Sequence, residues 1–169
     1  MQTFTTVAAL TAAIQEAKKD NKTIGLVPTM GALHDGHLSL VAKAREQNDL
    51  VVVSVFVNPI QFNNQEDLAK YPRTVDADLE KLSAAGADIA FVPSVEEMYP
   101  EPVNTVYHFG PLEEVMEGPR RPGHFSGVAV VVRRLFDLAQ PNRGAQAAVL
   151  EQRRAVFRSM GCRARKLTL

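Results

Sequence analysis

The chain has a single cysteine, Cys162, in 169 residues. No internal disulfide can form, and one lone thiol fits a reducing compartment. Long apolar runs are missing as well. The longest, Leu50 to Val53 and on past Ser54 to Val57, has the length of a strand and falls short of the roughly 18–20 residues of a membrane span. The opening residues, MQTFTTVAAL, lack the basic start and apolar stretch of a secretory signal. A cytoplasmic protein with no membrane partner is therefore expected. There is no internal repeat or low-complexity segment. No Cys/His cluster offers the third and fourth ligands that a structural metal site needs, so no protein-held metal is expected. What is present is the composition of a globular domain, 46% hydrophobic and 22% charged, at a length that suits one domain.

The net charge of zero hides an asymmetry. Residues 1–142 carry 12 Lys and Arg against 18 Asp and Glu, whereas residues 143–169 carry seven against one. Such a basic tail is either an interaction arm or a segment foreign to the acidic domain before it. Phe157 is its only aromatic side chain, so base stacking has little to work with and nucleic acid is not an expected partner. A helix over about 145–160 is expected within it, with Val149, Val156 and Met160 on one face.

Hydrophobic spacing predicts helices over 7–19, 36–47, 74–85 and 127–139, with Thr6 capping the first. Apolar runs predict strands over 24–27, 50–57 and 88–92, and alternation predicts another over 103–109. The segment NPIQFNNQED, from Asn58, reads as a polar loop. Strand 50–57 is nearly all apolar and β-branched, as expected when helices cover both faces of a parallel sheet. Strands alternating with helices give an α/β fold with a parallel sheet.

The chemistry concentrates between Pro28 and Leu40, PTMGALHDGHLSL. His34-Asp35-Gly36-His37 lies where a strand ends and a helix begins, at the carboxyl edge of the sheet, where ligands of open α/β sheets bind. A helix start offers unpaired N–H groups and partial positive charge to a phosphate. Gly31 and Gly36 allow close approach of a ligand to the backbone, and the imidazoles can donate to phosphate oxygens. The same letters also suit a plain Asp-Gly turn with surface histidines. Asn58 to Asn63, NPIQFN, follows the most apolar strand and would lie beside that turn; its amides could fix a hydroxyl or carboxylate, or it is simply an Asn-Pro turn. Arg120 to Phe125, with Arg121 and His124, is a basic loop that could reach a phosphate or lie solvated. Tyr71-Pro72-Arg73-Thr74 reads as a helix start.

PTMGALHDGHLSL, FVNPIQFN, YPRT, MYP and RPGHFSGVAVVV, in this order, resemble the pantothenate synthetase (pantoate–β-alanine ligase) family. The histidine turn by itself resembles only the wider nucleotidylyltransferase and class I synthetase-like superfamily. The resemblance implies a Rossmann-like domain over 1–142 and a homodimeric cytoplasmic ligase that makes a coenzyme A precursor. In that family pantoate carboxylate attacks the α-phosphorus of MgATP, giving pantoyl adenylate and pyrophosphate, and the amine of β-alanine then displaces AMP. Carried over, Pro28, Thr29, Met30, Gly31, Ala32, Leu33, His34, Asp35, Gly36 and His37 would contact ATP. His34 and His37 would be catalytic, with His37 the assigned proton donor. Gln61 and Met30 would bind pantoate and β-alanine, with Asn58, Phe62, Arg121 and His124 as accessory residues. After Arg143 the family continues with a Gly-x-Lys-Asp segment, then Gln-Gln, a Ser-Ser-Arg segment and a small lid domain. Here those motifs are missing over 143–169, at the same place as the charge reversal. The resemblance therefore also allows a truncated, inactive or binding-only remnant, with a tail produced by a frameshift.

Overall fold

A computed structural model describes residues 1–110 and 121–141. The elements run β1 (Gln2–Phe4), α1 (Val7–Lys19), β2 (Ile24–Thr29), α2 (Asp35–Gln47), β3 (Leu50–Val55), a 3₁₀ turn (Pro59–Gln61), α3 (Gln65–Lys70), α4 (Val75–Ala84), β4 (Ile89–Phe91), α5 (Val95–Met98) and α6 (His124–Ala139). The strands form one wholly parallel sheet in the order β1-β4-β3-β2. Residues alternate across β3. Val52 packs with Leu10 and Ile14 of α1 and Val131 and Leu135 of α6, whereas Val51, Val53 and Val55 pack with Val41 and Ala44 of α2 and Leu82 of α4. Each face of the sheet thus has its own layer of helices, and this explains why β3 carries no polar face.

Among the described residues β2 is an outer strand of the sheet, in register with β3 from Ile24↔Leu50 to Thr29↔Val55. That placement tolerates Pro28 inside the strand, because a proline lacks only the N–H that an edge need not pair. β2 and β3 end side by side, so the turns that follow both emerge at the same carboxyl edge.

Two expectations need correction. No strand forms over 103–109. Its polar and aromatic groups go elsewhere: the Tyr107 N–H donates to Ser126 Oγ at 2.9 Å, the Phe109 ring packs edge-on against Phe125, and Val106 is 65% exposed. The loop expected after Asn58 is partly helical. Asn58 and Asn64 cap the 3₁₀ turn and α3 through their side-chain oxygens, and α3 buries no residue, so hydrophobic spacing could not reveal it. β1 and α5 are three and four residues long, too short to leave a periodic signal. The tail over 143–169 and its expected helix lie outside the described residues.

Candidate nucleotide and substrate site

The turn after β2 begins with Thr29, 8% exposed. Its hydroxyl donates to Ser54 O on β3 at 2.6 Å and accepts the Gly31 N–H at 3.3 Å. Gly31 and Ala32 then adopt φ of 81° and 49°, two left-handed residues in succession. Leu33 is buried in the α2/α4 layer at 2% exposure. Its N–H and that of Ala32 both donate to the Asp78 carboxylate.

His34 is the N-cap of α2, with Asp35 as the first helical residue. His34 Nδ1 accepts the Gly36 N–H at 3.1 Å, and His37 Nδ1 accepts the His34 N–H at 3.4 Å. This is a reciprocal cap in which imidazoles replace the usual hydroxyl and carboxylate. A backbone N–H only donates, so each Nδ1 presents a lone pair, and each neutral ring carries its proton on Nε2. The ring centroids are 4.1 Å apart. Burial, then the neighbouring His34, hold His37 below the ordinary imidazole value of 6.5, against a smaller upward pull from Asp78. At neutral pH the His37 ring is uncharged and donates through Nε2–H.

The structure revises how this turn could hold a phosphate. The N–H groups of Gly31, Ala32, Leu33, Gly36 and His37 already have partners within the protein. These five N–H groups are thus committed, and the imidazoles are the turn's side-chain donors. Leu33, Ala32 and Thr29 shape the turn rather than offering side-chain donors to it.

The turn after β3 supplies an amide network. Asn58 is fully buried. Its Oδ1 accepts the Ile60 N–H at 3.3 Å, and its Nδ2 donates to Gly127 O at 3.0 Å. These backbone partners fix which end of the amide is which. Tyr99 must then donate its hydroxyl to Asn58 Oδ1, at 3.0 Å, and Gln61 Oε1 must accept from Asn58 Nδ2, at 3.3 Å. Burial pushes the Tyr99 phenol up to about 12, against the opposing pull of Arg134, so it stays a donor. The Gln61 amide is thereby turned with its NH₂ outward, against Met30 Sδ. His124 Nδ1 lies 3.0 Å from Gln61 O; a carbonyl only accepts, so that nitrogen is protonated and Nε2 of the neutral ring is an acceptor.

Met30, Gln61, Phe62, Tyr71, Arg121 and His124 line one cavity of about 260 Å³. Of the residues expected to hold substrate, Met30, Gln61, Phe62, Arg121 and His124 are thus brought together. Asn58 is not in the wall and acts from beneath it. His34 and His37 do not line the cavity; they stand further along the turn that Met30 opens, at the start of α2. Sequence reasoning missed Tyr71 as a wall residue, Tyr99 as an orienting donor, and Asp78. Only the MYP segment marked Tyr99, and nothing in the spacing marked Asp78.

A family profile described as pantoate-beta-alanine ligase matches residues 2–161. The pantothenate synthetase of Bacteroides fragilis is 51% identical over 160 residues, covering 95% of this chain and 57% of that protein. A solved pantothenate synthetase from Thermus thermophilus superposes with a TM-score of 0.77 at 48% identity, over 95% of this chain and 58% of that one. A pantoate-beta-alanine ligase from Francisella tularensis, solved with beta-gamma ATP and β-alanine, gives 0.80 at 34% identity, over 93% and 63%. The chain spans a little over half the length of the curated relatives it matches. The match reaches residue 161, beyond the expected boundary at 142.

Proposed function

The chain belongs to the pantoate–β-alanine ligase family, and from that premise we propose that it binds MgATP at the histidine turn and pantoate in the adjoining cavity. The chemistry is adenylation. Pantoate carboxylate attacks the α-phosphorus, pyrophosphate leaves, and β-alanine then displaces AMP to form the amide. One observation carries this reading: two imidazoles with Nε2–H donors stand on the turn after β2, and an amide whose carbonyl end is held by Asn58 stands on the turn after its sheet neighbour β3. Donors of this kind stabilise charge that grows on phosphate oxygens during displacement. The outward NH₂ of Gln61 and the acceptor Nε2 of His124 suit a hydroxy acid, which needs a donor for its carboxylate and an acceptor for its hydroxyl. Among the described residues no three His, Cys, Asp or Glu side chains gather as metal ligands. Magnesium is proposed to arrive on the nucleotide phosphates as part of the substrate. The homodimer and the cytoplasmic location follow the family and are proposed with it; no helix among the described residues is long and apolar enough to cross a membrane.

A second reading is a binding-only remnant. It draws on the Lys-Asp, Gln-Gln and Ser-Ser-Arg segments not found over 143–169. Loss of a charge clamp removes transition-state stabilisation, at about 1.4 kcal/mol per tenfold in rate. The purified chain incubated with MgATP and pantoate distinguishes the two. Pantoate-dependent pyrophosphate release, with AMP and pantothenate appearing only after β-alanine is added, supports the ligase. ATP binding without pyrophosphate release supports the remnant. Absence of both rejects the nucleotide site.

A further inference from the structure

Asp78 is a carboxylate with no exposed surface, in the first turn of α4. Its Oδ1 accepts the Leu33 N–H at 2.7 Å, and its Oδ2 accepts the Ala32 N–H at 2.9 Å and the Thr74 hydroxyl at 3.2 Å. One turn further along α4, Lys81 Nζ donates to Leu33 O at 2.7 Å. Thr74, Asp78 and Lys81 fall on one helical stripe, and together that stripe holds both polar groups of Leu33.

This grip answers two costs. Ala32 sits at φ 49° without being glycine, a conformation that disfavours a residue with a Cβ by about 1–2 kcal/mol. A buried carboxylate loses several kcal/mol of hydration unless its oxygens are satisfied. Each cost is met by the other feature. In this turn the consecutive N–H groups of Ala32 and Leu33 converge on one anion, and that anion is the side chain of Asp78. Gly31 completes the fit, since a Cβ there would stand 3.0 Å from Asp78 Oδ2. The amides nearest the histidines are therefore committed to an internal carboxylate, and the chain leaves this strained turn directly into His34.

We propose that Asp78 is a positioning residue: by clamping Ala32 and Leu33, with Lys81 on the Leu33 carbonyl, it sets where the His34 and His37 rings stand over the carboxyl edge of the sheet. Asp78 itself touches no ligand. A negative charge beneath a polyanion site gives nothing to affinity directly, so its contribution passes through the turn. The proposal rests on the nucleotide reading above only for its binding measurement.

The test compares wild type, Asp78→Asn, His37→Ala and the double variant, with MgATP affinity measured by calorimetry. An amide at position 78 turns one N–H toward an N–H, so the clamp breaks while the volume is kept. Asp78→Asn is expected to weaken MgATP about tenfold alone and less than about twofold once His37 is gone, the non-additivity of residues acting through one another. Equal losses in both backgrounds, or no loss in a folded Asp78→Asn, overturn it. If Asp78→Asn does not fold, Lys81→Met serves in its place, with a loss of roughly threefold expected and unchanged affinity contradicting the proposal. Should wild type not bind MgATP, the nucleotide reading fails by itself. The clamp is then decided without ligand. Faster exchange of the Ala32 and Leu33 amides together with displaced His34 and His37 ring resonances in the variant sustains it, and unmoved ring resonances reject it.

Discussion

The imidazoles of the turn after β2 serve α2 as caps before they can serve a ligand. Each spends Nδ1 on a backbone N–H, which makes the proton on Nε2 available outward. Protonating His37 at Nδ1 would forfeit the bond from the His34 N–H. That cost adds to burial and to the neighbouring ring, which already hold its midpoint below 6.5. The His37 ring is expected to titrate below 6.5 in an NMR pH series, with Nε2–H as the neutral tautomer. Because the folded value lies below the unfolded one, the unfolded chain binds more protons between the two. His37 therefore costs stability as pH falls through this window and costs none well above 6.5. Denaturation midpoints of wild type should drop more steeply than those of His37→Gln between neutral and mildly acidic pH; parallel slopes would contradict the assignment. The pair of histidines and its place after a strand were legible from the letters alone. Ring orientation was not, because it depends on backbone hydrogen bonds that only the closed turn creates. Asp78 was invisible for a similar reason: its partners lie 45 and 46 residues away in sequence.

At the scale of elements, the site is a junction between the 3₁₀ turn and α6. Gly127 makes the junction possible. A Cβ there would stand 2.6 Å from Gln61 Cα and 2.7 Å from both Gln61 N and Ile60 O, all backbone atoms that cannot swing aside. Gly127→Ala should cost about 1–3 kcal/mol in chemical denaturation, in the range of overpacking, and should also shift the Gln61 side-chain amide resonances. Gly86→Ala is a contrasting control, since Gly86 has φ 83° but nothing within 4 Å of the added carbon. Its cost should be that of the left-handed backbone alone, about 1–2 kcal/mol, with the Gln61 resonances unmoved. Asn58→Ala should be worse than either single contact suggests. It strands the buried Gly127 carbonyl, at roughly 1–3 kcal/mol for an unsatisfied buried group, and also frees the part-buried Ile60 N–H and Tyr99 hydroxyl; a loss below that of Tyr99→Phe would contradict the network. Helices with a strong apolar stripe, such as α1 and α6, were readable from spacing because tertiary packing rewards that stripe. The segment over 103–109 misled because alternation describes a half-buried surface as well as a strand. α3 escaped because capping, rather than burial, defines it.

Over the whole molecule, the doubly covered parallel sheet brings two chemically different turns to one edge, and the order β4-β3-β2 does this by placing β2 beside β3. The parallel sheet was foreseeable from β3, whose residues suit burial on both faces. The extent of the family match was not: it runs to residue 161, while the motif loss and the charge reversal both set in at 143. We propose that the functional domain ends at 142 and that the rest is a changed tail. Reading the coding DNA in the other two frames near codon 143 tests a frameshift directly. Recovery of a Lys-Asp and Gln-Gln segment supports it, and its absence from both frames excludes it.

The central claim, that the histidine turn of this chain receives a nucleotide, is tested most directly by titrating MgATP while following the histidine ring resonances. The account predicts saturable shifts at Nε2 of His34 and His37, with Nδ1 still accepting from the backbone and with the exposed His108 ring unmoved. Saturable ATP binding that leaves both of those rings unchanged would contradict it.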